Sequence, residues 1–364
     1  HKLRLTGLQH NRVYEYRIVQ QSGDSIETSP FYECDTFFHY PLTSGARRQP
    51  ADTVAASARA SICQSILARV RSSQGICMLW GSAAVDLAAP LAEASNLQIV
   101  GVLENAEEVE TLRREFSQRG DYGRRVSLLS SESFCGEPVT NHSIDLLVCL
   151  DAAETGQLLN ATKVRKLLAP GGTAILPPQS RALITEEQAG LPITRLGDGI
   201  EGNLQRFDAW QIGRFVDAGD WDHIYGRPDN TAFGGESLAG ARVAEDFDVQ
   251  WLGRPGPRYQ ADRNGRKTPP LAADGRLFLQ GLDRIVAVST HNGVVQWSLE
   301  IPGFRRCNMP RDCGNWCADA GTLYAAVRDR CWMIDADTGR VARQLELPSA
   351  NGAGDTGREW GYVA

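Results

Sequence analysis

The sequence predicts a multidomain chain: a partial β-sandwich, then a doubly wound α/β (Rossmann-like) domain, then a repeating all-β region. Three observations predict it. Apolar residues alternate at a period of two near the amino terminus. Strand-length apolar runs alternate with helical-period segments between residues 75 and 176. A stretch of 28 residues recurs 46 residues further on without a gap.

The elements follow in order. Leu3, Leu5 and Leu8 precede an extended run from Val13 to Val19, a polar turn at Gln20–Asp24 and a second extended run to Phe38. Such strands need neighbours to cover their edges, so residues 1–40 read as the last strands of a sandwich. Residues 41–50, bounded by Pro41 and Pro50, form a linker by composition. Residues 51–215 open on a helix over Ala51–Arg71, with Ile62, Ile66, Leu67 and Val70 at helical spacing. Strands Ile76–Trp80, Leu97–Glu104, Arg125–Leu129, Ile144–Asp151 and Thr173–Leu176 then alternate with helices over Val85–Ala94, Ala106–Arg119 and Glu154–Leu168. Pro170-Gly171-Gly172 reads as the stop of the last helix. Ile184–Asp208 is punctuated by Gly and Pro and barely apolar, so the sheet is expected to end at five strands.

Residues 216–364 carry the repeat. Gly275–Pro302 superposes on Gly321–Pro348, with Gly275/Gly321, Asp283/Asp329, Arg284/Arg330, Gly293/Gly339 and Pro302/Pro348 identical. Each unit reads strand, turn, strand, tight glycine turn, strand; His291-Asn292-Gly293 and Asp337-Thr338-Gly339 are hairpin signals. Two units and the start of a third are expected, since Gly361 lies 46 residues after Asn315.

Composition narrows the function classes. The net charge of −6, with no basic run, argues against nucleic-acid binding. No apolar stretch reaches the roughly 18 residues of a membrane span. The chain begins at His1, so a targeting segment cannot be read from it. Cys77 and Cys149 sit inside apolar runs as core thiols. Cys307, Cys313, Cys317 and Cys331 crowd into one polar β stretch, where disulfides are expected with the pairing left open. Free thiols and a zinc site are the competing readings, although paired C-x2-C knuckles are lacking and no metal ligand set is assigned. No H-E-x-x-H, G-x-S-x-G or P-loop occurs, and no catalytic residue is assigned. Arg254, Arg258, Arg263 and Arg266 lie in a Pro-rich insert that reads as a solvated excursion, with an anion-binding loop as the sharper alternative.

Residues 75–176 resemble the core of the class I S-adenosylmethionine (SAM)-dependent methyltransferases. The resemblance is carried by the turn Gly81-Ser82-Ala83-Ala84-Val85, by Glu104 ending the second strand, by Asp145 in the fourth and by Lys166–Leu176 leading into the fifth. It implies SAM as cofactor, with Gly81, Ala83 and Glu104 as its contacts. The chain departs from the family at Leu79, which replaces an acid, and at Ala83 and Val85, which replace glycines. A β-branched Val85 against the ligand is the most serious of these, so the domain is expected to have lost catalysis.

The repeat is similar to that of the pyrroloquinoline-quinone (PQQ)-type β-propellers, on Ile334-Asp335-Ala336 with Gly339 and on Trp297. This implies an incomplete propeller whose face binds a protein or small-molecule ligand. No Cys-Cys dipeptide is present, so PQQ itself and quinone dehydrogenase activity are not expected. Leu8 and Tyr14 occupy places that resemble the tyrosine corner of fibronectin type III-like sandwiches. Together the resemblances imply a large exported protein, periplasmic or extracellular, with a scaffolding propeller. The competing implication is a cytoplasmic methyltransferase whose propeller recruits substrate.

Overall fold

The computed structural model describes residues 8, 13–23, 25–35, 54–134, 139–151, 161–181, 192–196, 200–201, 206–215, 217–238, 240–252, 269–281, 284–304, 314–347 and 359–363. At the amino end, β1 (Val13–Tyr16) pairs antiparallel with β4 (Tyr32–Asp35), and β2 (Val19–Ser22) pairs with β3 (Ser25–Thr28) between them. Ile18, Ile26 and Phe31 are exposed, as is Leu8 of the expected tyrosine corner. Tyr16 Oη donates to Glu300 Oε1 at 3.0 Å, tying these hairpins to the repeat region.

The α/β unit begins with α1 (Val54–Leu67) and β5 (Gln74–Trp80), followed by α2 (Ser82–Val85) and α3 (Ala88–Ala94). Next come β6 (Asn96–Leu103), α4 (Ala106–Arg119), β7 (Val126–Ser130), α5 (Ser131–Phe134), β8 (Ile144–Cys149), α6 (Ala161–Leu167) and β9 (Leu168–Leu176). Strands β10 (Ile193–Arg195), β11 (Ile200–Glu201) and β12 (Arg206–Ile212) complete one eight-stranded sheet. Its order is β7-β6-β5-β8-β9-β12-β10, with β11 also paired to β12. The first five are parallel, and β12 runs antiparallel to both β9 and β10. Along β5 the side chains alternate between two cores. Cys77 and Leu79 join α1, α3 and α4 residues on one face, and Met78 and Trp80 join Val164 and Leu167 of α6 on the other.

Three expectations are corrected. The sheet does not end at five strands: β12 adds Phe207, Ala209 and Trp210 to the cores. Its Asp208 is fully buried, and its Oδ1 accepts from Arg181 at 2.8 Å and from Arg195 at 2.7 Å. The helix expected over Val85–Ala94 is split at Asp86-Leu87. Pro90 explains the break, because in an unbroken helix its ring would meet the carbonyl of Asp86. Finally, Pro170-Gly171-Gly172 lies inside β9 as an outward loop. Ile144 faces Leu168 while Leu146 already faces Thr173. Gly171 takes φ 81°, and a Cβ on Gly172 would stand 2.7 Å from the Ala169 carbonyl oxygen.

The repeat region forms two four-stranded antiparallel meanders, one strand more per unit than the sequence suggests. The first is β13 (Leu271–Ala273), β14 (Arg276–Gln280), β15 (Arg284–Ser289) and β16 (Val295–Glu300). The second is β17 (Trp316–Ala318), β18 (Thr322–Val327), β19 (Arg330–Asp335) and β20 (Val341–Glu346). Both carry a register shift in the third strand, at Ala287/Val288 and at Met333/Ile334. One core, including Phe278, Trp297, Phe304, Trp316 and Ile334, is shared by the two sheets.

Trp297 on β16 lies over Gly339 in the last turn of the second sheet and donates its Nε1–H to the Ala336 carbonyl at 2.8 Å. A Cβ on Gly339, which has φ 67°, would stand 2.6 Å from the indole. Gly339→Ala is therefore expected to destabilise the repeat region by about 1–3 kcal/mol. A lower urea midpoint for this region, with the α/β transition unmoved, is the measurement that checks it.

Candidate functional site

In an open parallel sheet the ligand crevice lies beyond the carboxyl ends of the strands, where the strand order reverses. Here that point is between β5 and β8, since the chain builds outward through β6 and β7 before returning to β8 and β9. Gly81 follows β5 with φ 88° and ψ 159°, a conformation essentially reserved for glycine. Its N–H donates to the Val102 carbonyl at 2.9 Å, binding the turn to β6. Ser82 and Ala83 are exposed on the turn, and Glu104 is exposed just beyond β6. Because Trp80 pairs with Val102, the structure brings Gly81, Ala83 and Glu104 to the same edge of the sheet. Asn105 caps α4 by accepting from the N–H groups of Glu107 and Glu108 at 2.8 and 3.3 Å.

The fit to SAM is partial. Val85, expected to crowd the ligand, points the other way: it is buried in the core, over Gly101. A Cβ on Gly101 would stand 3.0 Å from Val85 Cγ2, so Val85 fills space that the glycine leaves. The exposed Ser82 and Ala83 and the exposed Glu104 leave room for a nucleoside at this edge, while Gly81 itself is buried. Leu79 does not suit one: it is fully buried among Ala84, Leu91 and Leu97 and offers no acceptor.

The amino end of the same sheet is covered by the repeat region. Asp145, early in β8, accepts through Oδ2 from the Ile76 N–H and from Asn292 Nδ2, both at 2.7 Å. Asn292 Nδ2 also reaches the Ser143 carbonyl at 2.9 Å. Ser72 donates to Gln296 Oε1 at 2.9 Å, and Gln250 donates to the Asn141 carbonyl at 2.6 Å. Arg71 and Arg276 each pair with both Asp274 and Asp337, and Arg214 pairs with Asp274. Desolvation, reinforced by the neighbouring Arg71 and Arg214, brings Arg276 down to about 10. A cavity between the two units is lined by Arg71, Asp145, Gly171, Arg276, His291 and Gln296. The sequence marks Asn292 only as a turn residue. Its Oδ1 does serve the turn, accepting from the Val294 N–H at 3.1 Å, while its amide nitrogen makes the crossing contact.

Cys77 and Cys149 are fully buried in the two cores of the sheet. Cys317 and Cys331, expected to enter disulfides, are buried free thiols, and burial pushes Cys317 up to about 12. Their strands β17 and β19 are separated by β18. Cys307 and Cys313 lie outside the described residues, as do Arg254, Arg258, Arg263 and Arg266. Among the described residues no group of three His, Cys, Asp or Glu side chains could hold a metal ion. No helix among them is long and apolar enough to cross a membrane.

Neither the models of known protein families nor the sequences of curated proteins match the chain. Solved structures similar to it include a putative SAM-dependent methyltransferase from Methanococcus maripaludis, at 14% identity over 45% of this chain and 88% of that one, with a TM-score of 0.34. A SAM-dependent methyltransferase from Aquifex aeolicus is 14% identical over 43% of this chain and 92% of its own, with a TM-score of 0.33. An RNA methyltransferase from Salinibacter ruber, solved with S-adenosyl-L-homocysteine, is 12% identical over 43% and 92%, with a TM-score of 0.32. At these scores the likeness carries no functional assignment.

Two groups at the covered end titrate in opposite senses. Desolvation raises Asp145 to about 6, against the two hydrogen bonds that favour its charge. Its stabilising effect is full below the ordinary carboxylate range and is lost as pH rises through about 6. Desolvation, and then His142, lowers His291 to about 4, so its effect is present above 6.5 and lost as pH falls through about 4. The two slopes oppose between these limits, and the chain is expected to show a shallow stability profile there. Asp145→Asn should make stability climb with pH across that window, and His291→Gln should make it fall. Urea midpoints measured along the pH series check both signs.

Proposed function

We propose that the chain is a scaffold in which a methyltransferase-like α/β domain, no longer catalytic, is docked by its amino end onto PQQ-type propeller blades that present a binding surface. The observation that carries this reading is Leu79. The position at which the resembling family places its acid is here a fully buried apolar side chain. The repeated sheets and the seating of Trp297 on Gly339 support blades stacked around an axis. The amino-terminal hairpins are read as strands of a fibronectin type III-like sandwich. Export to a periplasmic or extracellular setting rests on the kinds of module, because Cys317 and Cys331 are free thiols.

A second reading, a SAM-binding enzyme whose propeller recruits substrate, is favoured by one observation. Val85 turns into the core and leaves Ser82 and Ala83 exposed on the same edge as Glu104. Titration of SAM into the whole chain separates the two. The scaffold reading expects no saturable heat. Micromolar binding that Glu104→Ala abolishes would replace it with the second reading.

A further inference from the structure

The outer part of the α/β sheet gathers hydrogen-bond donors around one buried carboxylate. Asp208 stands opposite Leu176, at the carboxyl end of β9, on a strand two places outside β8. Phe207 and Ala209 point into the core on the α1 side, so Asp208 shares the opposite face with Trp210 and Ile212. Arg195 lies opposite Trp210 in the β10–β12 register and reaches diagonally to Asp208. Arg181 follows a short turn, Pro178–Ser180, that packs on β12, and it meets the same carboxylate.

This cluster holds more donors than the fold itself uses. Asp208 is fully buried, and a single guanidinium suffices to neutralise it and to meet both of its oxygens. Arg181 alone does so, with Nε on Oδ2 and Nη2 on Oδ1, the latter at 2.8 Å. Arg195 adds Nε at 3.1 Å and Nη2 at 2.7 Å, both to Oδ1. Two cations on one anion leave a surplus of one positive charge, and their side chains are 48% and 39% exposed. A guanidinium is planar, so the Nη1 group of Arg195 faces away from the carboxylate that its Nε–Nη2 edge engages.

Two further polar groups at this place are buried and have no hydrogen-bond partner among the described residues: Trp210 Nε1 and Ser180 Oγ. Trp210 faces Arg195 across the register, and Ser180 immediately precedes Arg181. A buried donor left unmet costs stability, so such groups mark where something outside the chain is held. We propose that Arg181, Arg195, Trp210 and Ser180 bind the oxyanion of a small acidic molecule, a phosphate monoester or a carboxylate, with Asp208 fixing the two guanidiniums in place. The class of ligand follows from the donors. The groups not already engaged offer N–H and O–H, which require an acceptor, and the surplus charge requires an anion. The site shares no residue with the edge at Gly81, Ala83 and Glu104, so it goes beyond the scaffold reading and stands whether or not SAM binds.

The test titrates the full chain with inorganic phosphate and, separately, with acetate, at constant ionic strength. Saturable heat at millimolar concentration or below is expected, and the anion that binds more tightly identifies the acid. Arg195→Gln keeps an amide donor for Asp208 while Arg181 stays paired, and is expected to weaken binding about tenfold or more. Trp210→Phe removes one N–H without changing the charge, and is expected to weaken binding about threefold or more, which attraction to a basic surface would not show. Urea midpoints establish that each variant is folded; where either is not, Ser180→Ala removes the other unmet donor and replaces it. Absence of saturable binding of both anions overturns the proposal, and so does binding that no folded variant weakens.

Discussion

The Asp145 carboxylate is the point on which the two halves of the molecule depend. One of its oxygens receives the Ile76 N–H of β5 and the Asn292 side chain from the β15–β16 turn. It therefore joins two parallel strands and fastens a repeat sheet across their amino ends. The approach is close enough to exclude any side chain at position 75. A Cβ on Gly75, which has φ 144°, would stand 2.6 Å from the Asp145 carboxyl carbon. Hydrogen bonds to a charged group contribute roughly 1.5–3 kcal/mol each, yet the carboxyl is still raised to about 6. Desolvation thus outweighs both donors at the covered end of the sheet.

A second constraint sets the period of the repeat. The indole of Trp297 on β16 reaches the last turn of the following sheet, and that turn carries glycine where the ring lies, whereas β20 has Arg343 at the matching position. The constraint is met twice, at Trp251 on Gly293 and at Trp297 on Gly339. Fixed strand lengths between these points keep the offset constant. Identity between the units falls at the turns and strand ends, as at Gly275/Gly321, Asp283/Asp329 and Gly293/Gly339, and at the apolar strand positions Leu277/Leu323, Val295/Val341 and Leu299/Leu345.

Local signals were legible where local physics decides. Helix α4 runs over Ala106–Arg119 as its pattern predicts, because Asn105 caps its start and Gly120 closes it at φ 78°. The parallel strands were legible as apolar runs, since both of their faces are buried. Strand β12 was not, because its polar Asp208 is satisfied by Arg181 and Arg195 from elsewhere in the chain. The direction of Val85 was equally hidden: spacing places a residue in a turn but does not say which wall it faces. At the candidate site, Gly81, Ala83 and Glu104 were found together, whereas Asn292 could be seen to cross between units only once the sheets were packed.

The two ends of the α/β sheet thus carry different burdens, and this bears on position 79. Its side chain points into the core shared by α1, α3 and α4, not into solvent at the strand ends. An acid there would bury a charge, at a cost of several kcal/mol unless a ligand or a fixed donor met it. A domain that binds a cofactor recovers that cost when the ligand is held. Without such a ligand, a buried leucine at this position is the more stable choice. On the scaffold reading proposed above, the apolar side chain at Leu79 and the docking at the amino end belong together, because the docked neighbour stabilises the sheet without asking for an acid at its other end.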